Sequence, residues 1–173
     1  ICCLVTLAVC PEVTLINLCG NTFGGRVPST TTPVHSNGVY YVLLVGHAVA
    51  VIKQDDCVFA YDPNGNVSTV LRVQLRRIFG VGLVIYEHFN PHQTENENVL
   101  ADNIFIGIRG RCACWALFCC MLLRRCTTRR QIDEINVFFR GLVQARARVL
   151  STYLICFYMR TLRIARDSNE PRY

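Results

Sequence analysis

The most strand-like part of the chain is the run VYYVLLVGHAVAVI, Val39 to Ile52, dense in β-branched and aromatic residues. Polar KQDD follows it, then the shorter run CVFAYD, so the pattern predicts a strand, a hairpin turn and a second strand. Further on, VSTVLRVQLRRIFG sets Val67, Val70, Leu71, Leu75, Ile78 and Phe79 near helical spacing, with Ser68 or Asn66 placed to cap. LVIYEHF and NIFIGI read as strands, separated by the polar loop NPHQTENENVLAD. A helix apolar on all sides is predicted from Cys114 to Leu123, and one or two more from about Ile132 to Ile164, broken near Gly141. The stretch from Cys19 to Gly38, rich in Gly, Pro, Ser and Thr, reads as a long surface loop.

These elements predict an α+β domain whose central sheet, mostly antiparallel or mixed, is packed by helices. With 173 residues and 51% hydrophobic content, one sizeable core is expected, and residues 1–173 read as a single domain ending in Arg-rich helices over 132–166. No apolar run reaches the roughly 20 residues of a membrane span. The opening ICCLVTLAVC is cut short by Pro11 and Glu12 and lacks a basic leader, so a soluble protein without a signal peptide is expected.

Cysteine usage points to a reducing compartment. Eleven cysteines, with adjacent pairs at Cys2-Cys3 and Cys119-Cys120, suit no regular disulfide framework, and most should act as small core hydrophobes. The net charge of +6 is unevenly spread: residues 1–108 sum to −3 and residues 109–173 to +9. Lys53 is the single lysine among eighteen basic residues, and arginine is the side chain suited to bidentate phosphate contact. Arg124, Arg125, Arg129, Arg130, Arg146 and Arg148 are therefore candidates for DNA contact, the alternative being the wet faces of amphipathic helices.

The candidate chemistry begins in the predicted hairpin. With Gln54 and Asp55 as its loop residues, Lys53 faces Asp56 and His47 faces Asp62, on one side of the sheet with Cβ atoms about 5 Å apart. Asp62 precedes PNG, so it is either a turn initiator or a carboxylate orienting an imidazole at a strand end. Cys114 follows the glycine-bearing approach IRGRCA and opens the apolar helix, where unpaired N–H groups favour a thiolate and can serve an oxyanion. Cys112 is the rival nucleophile, whereas Cys119 and Cys120 sit mid-helix as core. A zinc site built from His88 and His92 with Cys112 and Cys114 lacks ordinary ligand spacing.

The order His, acid, Cys in GHAVAVI, CVFAYDPNG and ACWALFCCMLL resembles the adenovirus proteinase (adenain) family of cysteine proteases and its SUMO and ubiquitin-like deconjugating relatives. The likeness spans roughly Leu18 to Leu123, including CGNTFGGRVPS. It implies a papain-like, adenain-like fold with the nucleophile at the head of a buried central helix. Residue by residue, it implies His47 as general base, Asp62 as its partner and Cys114 as nucleophile.

The family's glutamine before the cysteine is missing, since Gly107 and Ile108 stand there, which makes Arg109 the candidate oxyanion donor. Ala48 stands where the family has tryptophan after the histidine, and Cys-Trp replaces Cys-Gly. The resemblance implies a viral endopeptidase that cleaves structural precursors near glycine during particle maturation, in the virion and host nucleus. No cofactor is required for the chemistry, but DNA and a short activating peptide are implied partners. The alternatives are a deconjugating protease, or an inactive protease-fold component that binds nucleic acid.

Overall fold

The computed structural model describes residues 12–18, 34–44, 47–65, 68–80, 83–86 and 112–142, together with helical positions 146, 149, 150, 152–154, 156, 157 and 160. Five strands, β1 (Thr14–Asn17), β2 (Gly38–Leu44), β3 (His47–Gln54), β4 (Cys57–Tyr61) and β5 (Leu83–Tyr86), form one sheet in chain order. β2, β3 and β4 run antiparallel as a meander, while β1 joins β2 and β5 joins β4 in parallel. Among the described residues, the sheet is accompanied by α1 (Thr69–Phe79), α2 (Cys112–Leu123) and α3 (Arg129–Gly141). The class is α+β with a mixed sheet packed by helices.

The run Val39 to Ile52 is two strands rather than one. Both halves are buried on both faces, so no polar break marks the reversal. Gly46, between Leu44 and His47, was the only punctuation available. Side chains alternate across the sheet as the pleat requires. Tyr41, Ala48, Ala50, Ile52, Phe59 and Tyr61 face α2 and α3, whereas Tyr40, Val42, Val49, Val51, Val58 and Ala60 face Leu71, Leu75, Ile78 and Phe79 of α1.

The β3–β4 hairpin differs from expectation by its loop. Gln54 pairs with Cys57, so Asp55 and Asp56 form the turn, and the expected pairs Lys53–Asp56 and His47–Asp62 are not directly opposed. Asp55 adopts φ 51, a left-handed conformation that aspartate tolerates. Asn37 holds it there, donating from Nδ2 to the Asp55 carboxylate at 3.0 Å and accepting from the Asp55 N–H at 2.7 Å. The buried Lys53 ammonium donates to the Asp55 carbonyl from the other side. Because every pair moves by two positions, the faces are unchanged.

α1 starts where the sequence places it, with the Ser68 hydroxyl accepting from the Leu71 N–H at 3.2 Å. α3 begins three residues ahead of expectation. A capping box accounts for this: Thr128 accepts from the Gln131 N–H, and the Gln131 side chain accepts from the Thr128 N–H at 3.1 Å. Helical residues resume between 146 and 160, after a break beyond Gly141. α2 also begins earlier than expected, at Cys112 rather than Cys114, and this changes the site. No helix among the described residues is long and apolar enough to cross a membrane.

Candidate active site

His47 is the first residue of β3 and Asp62 directly follows β4, so both lie at the same end of the sheet. Their faces match, and Asp62, past the last paired residue, reaches across diagonally. Nε2 of His47 lies 2.8 Å from Oδ1 of Asp62. A carboxylate can only accept, so Nε2 carries the proton.

Asp62 is also the turn residue that the sequence suggested. Its carbonyl accepts from the Gly65 N–H at 3.0 Å, and its Oδ1 accepts from the Asn64 N–H at 2.9 Å. The two roles offered for Asp62 are thus compatible, since the turn immobilises the carboxylate that holds the imidazole. Asp62 is 3% exposed. The His47 side chain keeps 18% of its surface open, so the site can be approached from solvent.

The thiol that meets this imidazole belongs to Cys112. Cys112 is near enough to bear on the charge of the His47 ring, and with Nε2 engaged by Asp62 the nitrogen left to face a thiol is Nδ1. Burial works against charge on the ring, but the hydrogen bonds to Asp62 and Cys112 and the electrostatic attraction of both outweigh it. The His47 pKa is raised to about 9.

Cys114 points elsewhere. Two steps along an α-helix turn the side chain by about 200°, so Cys112 and Cys114 cannot face the same imidazole. At four-residue steps Cys112 shares one helix face with Ala116 and Cys120, and Cys120 on that face reaches the Tyr40 carbonyl of the sheet. Cys114 instead lines a small apolar pocket with Leu117, Phe118, Met121, Leu154 and Phe157. Cys112, and not Cys114, is the thiol whose charge bears on His47. CAC in the sequence offers two thiols on opposite faces, and only the helix phase selects between them.

Cys119 and Cys120 are buried as expected, and burial pushes the Cys119 thiol well above its usual range, helped by Cys120 and Cys126. Two ties between sheet and α2 went unnoticed in the sequence. The Tyr41 hydroxyl donates to the Ala113 carbonyl at 3.2 Å, and the Cys120 thiol donates to the Tyr40 carbonyl at 3.6 Å. At the same end of β4, the Tyr61 ring stacks on Phe139 of α3, centroids 4.2 Å apart.

The arginines divide into engaged and open groups. Arg124 pairs with Glu12, Arg130 with Glu134 at 3.1 Å, and the Arg129 guanidinium lies 5.7 Å from the Phe59 ring centroid. Arg125 and Arg146 are solvent-facing, and Arg146 borders an apolar groove with Phe118, Phe138 and Tyr153. Arg109 and Arg148, with His88, His92 and the NIFIGI strand, lie outside the described residues. Among the described residues no three His, Cys, Asp or Glu side chains gather to hold a metal. Comparison with known protein families, curated proteins and solved structures finds no match to this chain.

Proposed function

We propose that the protein is a cysteine peptidase in which Cys112 is the nucleophile, His47 its acid and base, and Asp62 the group that orients His47. One observation carries this reading. A single imidazole is held by a buried carboxylate at 2.8 Å and lies within electrostatic reach of a thiol at the head of an apolar helix. The raised basicity of His47 favours transfer of the Cys112 proton to Nδ1, giving a thiolate beside an imidazolium.

The thiolate attacks the scissile carbonyl carbon, and the C=O electron pair moves onto oxygen. On this reading, backbone N–H groups at the head of α2 serve that oxyanion. The intermediate collapses as the C–N bond breaks, and His47 gives its proton to the leaving amine. Water, deprotonated by the now neutral His47, attacks the thioester. Collapse of the second intermediate releases the acid and restores the thiolate. Asp62 keeps its charge throughout and fixes the ring by its bond to Nε2.

A mixed sheet with a cysteine-headed helix against it is the layout that the adenain-like resemblance implies, with the nucleophile moved from Cys114 to Cys112. On that resemblance the substrate is a polypeptide, a virion precursor cut near glycine. A deconjugating protease would share the chemistry and differ in substrate. The exposed Arg125 and Arg146 are the described arginines best placed to meet DNA.

The test is peptide mapping of a Gly-Gly electrophile on the wild type, Cys112→Ser, Cys114→Ser and His47→Ala, with and without DNA. Label confined to Cys112, lost in His47→Ala and retained in Cys114→Ser, is the expected result. Label on Cys114, or spread evenly over several cysteines, removes the reading.

A further inference from the structure

We infer that Tyr41 is a positioning residue for the Cys112 thiol, acting through its hydrogen bond to the first turn of α2. The inference rests on the His47–Cys112 pairing proposed above. Tyr41 lies in the second strand of the sheet, between Leu15 of β1 and Ala50 of β3. Its side chain is fully buried beneath α2, among the residues that separate the helix from the sheet. From there the hydroxyl reaches the Ala113 carbonyl at 3.2 Å, one residue from Cys112.

A phenol in an apolar core costs free energy unless its hydroxyl is hydrogen-bonded. Aliphatic packing, by contrast, is non-directional and leaves a helix some freedom to slide and rotate. The remaining α2 residues on this face are small or apolar: Ala116, Cys120 and Leu123. The Tyr41 bond supplies direction at this turn, where Ala116 and Leu123 supply only area. It also acts at the turn that carries Cys112, so the axial placement of the helix there sets how near the thiol lies to His47.

A second tie, from Cys120 to the Tyr40 carbonyl, lies about two turns further along the helix. It holds the same helix to the same strand but has little leverage on Cys112. The pair of ties therefore separates positioning of the thiol from general attachment of α2.

The experiment measures the rate of Cys112 carbamidomethylation by iodoacetamide against pH, resolved by peptide mapping, in the wild type, Tyr41→Phe, Cys120→Ala and His47→Ala full-length chains. Thermal unfolding is recorded for each. Misplacement of about 1 Å at a reacting pair costs up to about a hundredfold in rate. Tyr41→Phe, which keeps the ring, is expected to slow Cys112 at neutral pH roughly tenfold and to move the midpoint of its pH profile toward that of His47→Ala. Cys120→Ala is expected to leave both rate and midpoint near the wild type.

An unchanged Tyr41→Phe profile overturns the inference while leaving the peptidase reading intact, provided His47→Ala slows the thiol. Equal losses in Tyr41→Phe and Cys120→Ala also overturn it, because the effect would then be loosening of the whole helix. If His47→Ala itself leaves Cys112 unchanged, the pairing and the role of Tyr41 fall together.

Discussion

Oδ1 of Asp62 lies 2.8 Å from Nε2 of His47 although the ladder between their strands does not pair them. The contact depends on the turn after β4, where Asn64 and Gly65 bind Asp62 and direct its carboxylate back across the sheet end. Asp62→Asn should keep the turn's shape and lose the charge. The imidazole should then titrate roughly 1–3 pH units lower, by NMR, than the value of about 9 in the wild type. Cys112 reactivity at neutral pH should fall with it. An unchanged histidine titration in Asp62→Asn would sink the proposed orienting role.

The raised His47 pKa also makes stability depend on pH in a stated direction. The folded value of about 9 exceeds the ordinary 6.5, so the stabilisation is complete below about pH 6.5 and is lost as pH rises through about 9. The shift corresponds to at most about 3 kcal/mol. Urea midpoints should decline across this window in the wild type and stay flat in His47→Gln. A wild-type midpoint that rises between pH 6.5 and 9 would contradict the sign.

Phe139 braces the same end of the sheet. It is 2% exposed, stacks on Tyr61 and lies 6.4 Å from the Trp115 ring. Phe139→Ala should cost about 3–5 kcal/mol, read as a lower denaturation midpoint. Because Tyr61 adjoins Asp62, Cys112 reactivity should also drop in the folded variant. Full reactivity there would show that α3 contributes stability alone.

Thr128→Ala removes the hydroxyl that caps α3 and should destabilise by about 1 kcal/mol. Hydrogen exchange should quicken in the first turn, near Arg130 and Gln131, with Cys112 reactivity unaffected. Equal protection in both proteins would mean that Gln131 alone, which accepts from the Thr127 and Thr128 N–H groups, secures that terminus.

What could be read from the sequence depended on local marks. Ser68 before an apolar periodicity gave the start of α1, and Thr128 with Gln131 held a capping signature that would have placed the start of α3. The His47–Asp62 relationship was legible for a partly different reason than geometry supplies. The expected hairpin loop was one residue off, but a shift of two in pairing keeps each side chain on its face, so the two groups still met. Cys112 and Cys114 part by the same arithmetic in a helix, where two residues change the face almost completely. β1 escaped notice because four residues, TLIN, are too few to show alternation.

The topology divides the site unequally in time. His47 and Asp62 are fifteen residues apart, within the antiparallel meander, whose contacts are local and close with little loss of chain entropy. Cys112 arrives fifty residues after Asp62, on a helix that must dock on a sheet already formed. During synthesis the imidazole and carboxylate can therefore be assembled before the thiol has emerged beside them. On the proposed reading, chain order alone brings the thiol to a histidine and carboxylate that have already met.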